Sequence, residues 1–263
     1  MVMNIKWEVE RDENILISTV KKMFNNKSDL VRIKVDINSF KIIEADFLDD
    51  KRIISCDSIK GMYAYIQGKK RIKTVLKEEM HVENNIVDLF LQAISALVQA
   101  ETYVYKERGY KNKNEYNLYW DLLEKNNCRY YNDEFYFMRA GEPKWMDYVE
   151  NRFADKILFQ RKKTYEINKI LNEANYKIVA LLEDTYHEII IGLKCDPNYV
   201  VLDGAIEFTR APGKACFTNS ENIEYLIGKS LTSLTKSDVI KILGGRLGCY
   251  HVVEMIAEII GVI

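Results

Sequence analysis

Cys249 and His251 stand two residues apart in the stretch LGGRLGCYH (243–251), after three glycines and before the apolar run VVEMIAEII (252–260). A thiolate is both a nucleophile and a soft metal ligand, and an imidazole is both a base and a borderline ligand. At the start of a helix, unpaired N–H groups and the positive end of the helix dipole favour a thiolate. Arg246 adds a positive charge nearby. Inside a regular helix the two side chains would diverge, but at a helix entry both can face one point. Two earlier residues join the set: Cys216, at the end of RAPGKAC (210–216), and His187, which opens the strand-like HEIIIGLKC. Cys216, Cys249, His251 and His187 are donors suited to zinc or iron, or to an iron–sulfur species. The expectation is a mononuclear site that uses two or three of them and keeps a position open.

The same residues support a different chemistry. Cys249 could act as a nucleophile in acyl or thiol transfer, with His251 or His187 as its base. Arg210 could grip a carboxylate or phosphate bidentately, or close an ion pair at a strand end. Glu254 follows His251 by three residues and could orient its ring, although a solvated helix face is the simpler reading. A third reading has no chemistry in it. The apolar helix 250–262 and an aromatic segment would then be docking surfaces of a scaffold. Cysteine is among the most buried residue types, so Cys195, alternating within a strand, is read as core, and Cys128 is given no role. The segment GKSL (228–231) lacks the upstream glycine of a phosphate-binding loop.

The elements that must hold these residues read as strands first and helices after. YKIVALLE and HEIIIGLKC are apolar and β-branched, Asp196-Pro197-Asn198 is a turn, and YVVLDGAIEF returns as a second arm. Thr218 with Glu221, and Thr235 with Asp238, are spaced as capping boxes for two helices. A similar order appears 160 residues earlier. Lys34, Asp36, Asn38, Ala45, Cys56, Tyr65, Gly68 and Lys69 meet Lys194, Asp196, Asn198, Ala205, Cys216, Tyr225, Gly228 and Lys229. The expected fold is therefore α+β, in two related copies that form an internal pseudo-dimer. Each copy would be an antiparallel sheet followed by packed helices. Residues 1–99 would be a degenerate first copy, with Lys27, Glu83 and Asn85 opposite His187, Cys249 and His251. Residues 173–263 would be the copy carrying the site. Between them, 100–172 would be a helical connector rich in aromatic residues (Tyr116, Tyr119, Trp120, Tyr130, Tyr131, Phe135, Tyr136, Phe137, Trp145, Tyr148), with one turn at 140–143.

The ordered set DTYHEI (184–189), RAPGKAC (210–216), LIGKSL (226–231) and LGGRLGCYH (243–251) resembles a bacterial family of unknown function, DUF2889, over about 160–263. That resemblance implies a histidine at the start of a strand, an Arg-x-Pro followed by a cysteine, and a closing Gly-Gly-x-x-Gly-Cys-x-His. It carries no activity with it. More distantly, the order VLDGAIEF, Cys216, LIGKSL, Cys249 is similar to NifU-type iron–sulfur scaffold proteins, whose early cysteine has no clear match here.

Composition narrows the class. The formal net charge is −1 with a pI near 6.4, so no basic excess points to nucleic acid. No apolar run approaches the roughly 20 residues that span a bilayer. The N-terminal MVMNIKWEVERDEN lacks the apolar core of a signal peptide, and five cysteines without a dense pairing pattern suit a reducing compartment. The expected location is the cytoplasm, with a protein partner left open.

Overall fold

The structure, a computed structural model, describes residues 1–49, 52–139, 156–171 and 173–263. Nine strands form it: β1 (Val2–Asp12), β2 (Ile15–Phe24), β3 (Lys27–Asp36), β4 (Ile42–Asp49), β5 (Arg52–Ser55), β6 (Ile157–Lys169), β7 (Tyr176–Asp184), β8 (Glu188–Cys195) and β9 (Val201–Arg210). Their order in one sheet is β5-β4-β3-β2-β1-β6-β7-β8-β9. Alternation drives the choice of strand. Met3, Ile5, Trp7 and Val9 of β1, and Ile189, Ile191, Leu193 and Cys195 of β8, are buried while their neighbours are not. Asn25 and Asn26 both have positive φ (48° and 64°), the conformation that a two-residue hairpin turn demands, and β2 and β3 pair antiparallel around them. Asp196 closes the β8–β9 turn by accepting the Asn198 and Val200 N–H groups, each at 2.8 Å.

The helices are α1 (Lys69–Thr74), α2 (Asn84–Ala100), α3 (Lys113–Leu123), α4 (Tyr136–Arg139), α5 (Lys214–Phe217), α6 (Lys236–Leu243) and α7 (Tyr250–Ile260). The chain divides into two compact units. The first comprises described residues 3–49, 52–116 and 156–162. There α2 lays Ile86, Phe90, Ala93, Ile94 and Leu97 on β2 and β3. The seam includes two polar ties, from Trp7 Nε1 to Gln92 Oε1 (2.8 Å) and from Ser18 Oγ to the Ala93 carbonyl (2.9 Å). The second unit comprises 1–2, 117–139, 163–171 and 173–263. In it α6 packs on α7, which buries Val252, Val253, Met255, Ile256 and Ile259. At roughly 1.5–3 kcal/mol per fully buried aliphatic side chain, this face is a principal anchor of the C-terminal helix.

Several expectations are corrected. The two copies with separate sheets are not found, because all nine strands belong to one sheet, and the pseudo-dimer reading falls with them. Identities 160 residues apart carry no information about which strand edges pair. An open edge, with its row of unmet N–H and C=O groups, is satisfied by any strand that can reach it. The stretch 157–169, read as part of a helical connector, is the longest strand, β6, with Leu158, Phe159, Arg161, Lys163, Tyr165 and Ile167 inward. Thr218 and Glu221 do not open a capped α-helix. Thr218–Leu226 is a 3-10 helix, and the Thr218 hydroxyl donates back to the Ala215 carbonyl (2.9 Å). The second expected box is present, with Thr235 and Asp238 bonding each other's backbone at the start of α6. The turn expected at 140–143, Trp145, Tyr148 and the Tyr136 side chain lie outside what is described.

Candidate functional site around Cys249

Helix α6 ends at Leu243, and the chain must reverse within five residues to begin α7. Gly245 makes the reversal with φ +66°, a left-handed conformation that favours glycine. Gly248 serves a different need. Its own φ of −125° is ordinary, but a Cβ there would lie 2.0 Å from the Leu243 carbonyl oxygen. The close approach lets the Cys249 N–H donate to that same oxygen at 2.9 Å, so α6 is capped by the residue that opens α7. Cys249 is the N-cap of α7, in extended conformation (φ −130°, ψ 120°). Its carbonyl accepts the Val253 N–H at 3.1 Å.

That conformation turns Cys249 and His251 toward each other. Cys249 Sγ lies 3.9 Å from His251 Nδ1. The His251 ring in turn lies against the His187 ring, with centroids 4.0 Å apart and planes at 40°. His187 is anchored on its far side by Asp184, the last residue of β7. Asp184 Oδ1 accepts the Tyr186 N–H (2.7 Å) and the His187 N–H (2.8 Å), and His187 Nδ1 sits 3.2 Å from it. An ionised carboxylate can only accept, so this contact places a proton on His187 Nδ1. Asp184, His187, His251 and Cys249 thus form a continuous line of side chains, of which all but His251 are buried.

Arg210 contacts the backbone of the turn before β8. One of its nitrogens donates to the Asp184 carbonyl at 2.7 Å and reaches the His187 carbonyl at 3.4 Å. The other lies 3.8 Å from Glu188. It braces the turn that presents His187. Glu254, read as solvated, is buried, with Oε2 3.4 Å from Nζ of the fully buried Lys163 on β6. Glu258, one turn on, accepts from Lys163 at 2.6 Å and from the Tyr165 hydroxyl, while burial pushes its carboxyl above the usual range. A solvated face was expected because two glutamates near the end of an apolar helix resemble a wet edge. The buried lysine that answers them lies some ninety residues away, where the sequence gives no cue.

Cys216 is on α5 and buried. Burial pushes the nearby Tyr130 phenol up to about 12, with a smaller contribution from Cys216. The loops carrying Cys216 and Cys249 are joined by Arg129, which the sequence did not single out. Its guanidinium donates to the Leu247 carbonyl (2.9 Å), to the Thr218 carbonyl and hydroxyl (both 2.8 Å) and to Asn222 Oδ1 (3.2 Å). Its backbone N–H donates to the Gly248 carbonyl at 2.9 Å. An arginine in an aromatic segment gives no signal of such a role, because its targets lie 89 to 118 residues away and two of them are backbone oxygens.

The expected metal site was to use two or three of Cys216, Cys249, His251 and His187. Among the described residues no group of three or more His, Cys, Asp or Glu side chains is arranged to hold a metal ion. Cys249 and His251 remain as a pair of donors.

With this geometry in place, comparison with known proteins adds one likeness. Residues 161–262 match a family described as "Protein of unknown function (DUF2889)". The match covers β6 to α7 and so contains Asp184, His187, Cys249 and His251. No curated protein and no solved structure matches the chain, and the likeness to NifU-type scaffolds finds no support. No helix among the described residues is long and apolar enough to cross a membrane.

Proposed function

We propose that this protein is a thiol-dependent enzyme in which Cys249 is the nucleophile and His251 its base. The observation that carries the reading is the 3.9 Å approach of Sγ to His251 Nδ1 at a helix N-terminus, backed by the His187–Asp184 pair. In acyl transfer the thiol proton passes to His251 Nδ1, and the thiolate attacks the carbonyl carbon of the acyl donor. The S–C bond forms as the bond to the leaving group breaks, and the leaving group takes the proton from His251. The helix N-terminus stabilises the thiolate. His187 flanks the imidazole, and Asp184 fixes the ring of His187. No disulfide joins any of the five cysteines, which fits a thiol working in a reducing cytoplasm.

An activated acyl ester, nitrophenyl acetate, tests the reading. Mass analysis is expected to find the acetyl group on Cys249, at a rate about a hundredfold lower in His251→Gln, the lower end of what a positioned base contributes. Acetylation of another cysteine with Cys249 unmodified would overturn the assignment. The metal reading is supported by the Cys249 and His251 pair alone. It requires zinc or iron to copurify with the untagged protein and to be lost in Cys249→Ser.

A further inference from the structure

The first unit carries an open cavity of about 630 Å³, lined by Ser58, Lys60, Met62, Tyr63, Gln67 and Arg71 with Gly61 and Gly68. None of these residues belongs to the thiol site. Two are cations, three bear hydroxyl or amide donors, and none is a carboxylate. Among the described residues Arg71 makes no ion pair, while Lys60 is held 2.7 Å from Asp57 on the same short turn.

The wall is built rather than incidental. The Tyr63 ring stacks on Tyr65 with centroids 5.4 Å apart and planes at 27°. Tyr65 is fully buried and donates at 2.5 Å to Glu101, itself fully buried. Glu101 also binds Arg108 Nε at 2.8 Å, and Arg108 reaches the Tyr63 oxygen at 3.3 Å. Tyr63 is thus fixed from behind, with a third cation at its hydroxyl. Gly68 closes the wall tightly, since a Cβ there would meet the Tyr63 carbonyl oxygen at 1.9 Å. A volume of this order holds a small metabolite. Arg71, with no ion pair among the described residues, and Lys60, shared with Asp57, give a lining without carboxylates that favours an anion, and arginine in particular matches phosphate. The Tyr63 ring and Met62 offer apolar surface for the rest of the ligand.

The geometry points to a binding site for a phosphate-bearing small molecule, with Arg71 and Lys60 on the phosphate and Tyr63 beside its organic body. Calorimetric titration of the full chain with phenyl phosphate and with inorganic phosphate tests this. Both are expected to bind saturably at one site, phenyl phosphate the tighter. Affinity should fall about tenfold in Arg71→Gln and in Lys60→Gln, as loss of a charge-assisted contact implies, and stay unchanged in Lys21→Gln, an exposed lysine of β2 that is not in the lining. Tyr63→Ala should narrow the gap between the two ligands, with melting curves confirming that each variant folds. Absence of saturable binding, or equal losses in Lys21→Gln, would overturn the site.

Discussion

At the scale of single residues, Lys163 is the most consequential buried charge of the second unit. Its side chain is fully buried and faces Glu258 at 2.6 Å and Glu254 at 3.4 Å, with Tyr165 also on Glu258. Burial is the largest influence on Glu258 and holds its carboxyl above the ordinary value; the Lys163 charge pulls the other way. A carboxyl raised in the folded state binds protons that the unfolded chain has released, so its contribution to stability falls as pH rises above the unfolded value. Lys163→Met keeps most of the volume but leaves two carboxylates without their cation. It is expected to cost about 3–5 kcal/mol at pH 7, the range for breaking a buried pair. Part of that loss should return as pH is lowered from 7 to 5, because a carboxyl raised by burial takes up its proton before the unfolded chain does. Denaturant melts of the variant at the two pH values check this, and a loss independent of pH would contradict it. The first unit has a counterpart in Glu101, buried and raised by desolvation, held by Tyr65, Arg108 and Tyr116.

At the scale of elements, the site depends on how α6 hands over to α7. Gly248→Ala would place a methyl group 2.0 Å from the Leu243 oxygen, so the turn must open. The expected cost is about 3 kcal/mol, the upper part of the range for overpacking, with loss of acyl transfer at Cys249. Arg129→Met removes the donors on Leu247, Thr218 and Asn222 and should cost about 2–3 kcal/mol, as charged hydrogen bonds of this kind do. If Arg129 acts by positioning, Arg129→Lys restores part of the Cys249 reactivity that Arg129→Met loses. Equal reactivity in all three proteins would show that the turn holds itself. Some of this handover was legible. The glycines, the Thr235–Asp238 box and the helix start at Cys249 follow from local rules that act within a few residues. The reason for Gly248 is space, which only the approach of Leu243 reveals. Asp184 stood in the DTYHEI motif without a role, because its partner is fixed by the shape of the turn. Arg129 was hidden for the same reason.

At the scale of the whole molecule, the sequence conveyed the alternation of strands and helices but not their pairing. The apolar periods of β7, β8 and β9 are strong and local, so those strands were readable. Strand β6 was taken for helix because Arg161, Lys162 and Lys163 interrupt its apolar pattern. Arg161 nevertheless lies inward over the Trp7 ring (4.5 Å), and Lys163 is neutralised by residues far along the chain. Which edges join into one sheet is a property of the assembled chain, and matches at a fixed offset could not supply it. The gathering of Cys249, His251 and His187 was anticipated. Among the described residues no three-donor group accompanies that gathering.

The five cysteines, spread along the whole chain, offer the most direct test of the central claim. Cys56 and Cys195 are fully buried, with thiols pushed up by burial to about 12 and about 11. Cys128 is more exposed than Cys249, which is only 8% accessible, although burial raises the Cys128 thiol as well. Exposure alone would therefore have Cys128 react first. Limited iodoacetamide treatment of the native protein at neutral pH, read cysteine by cysteine in a mass spectrometer, separates exposure from activation. The account predicts that Cys249 is alkylated first and that the His251→Gln variant loses this lead. Alkylation of Cys128 ahead of Cys249, or a Cys249 rate indifferent to His251, would contradict it.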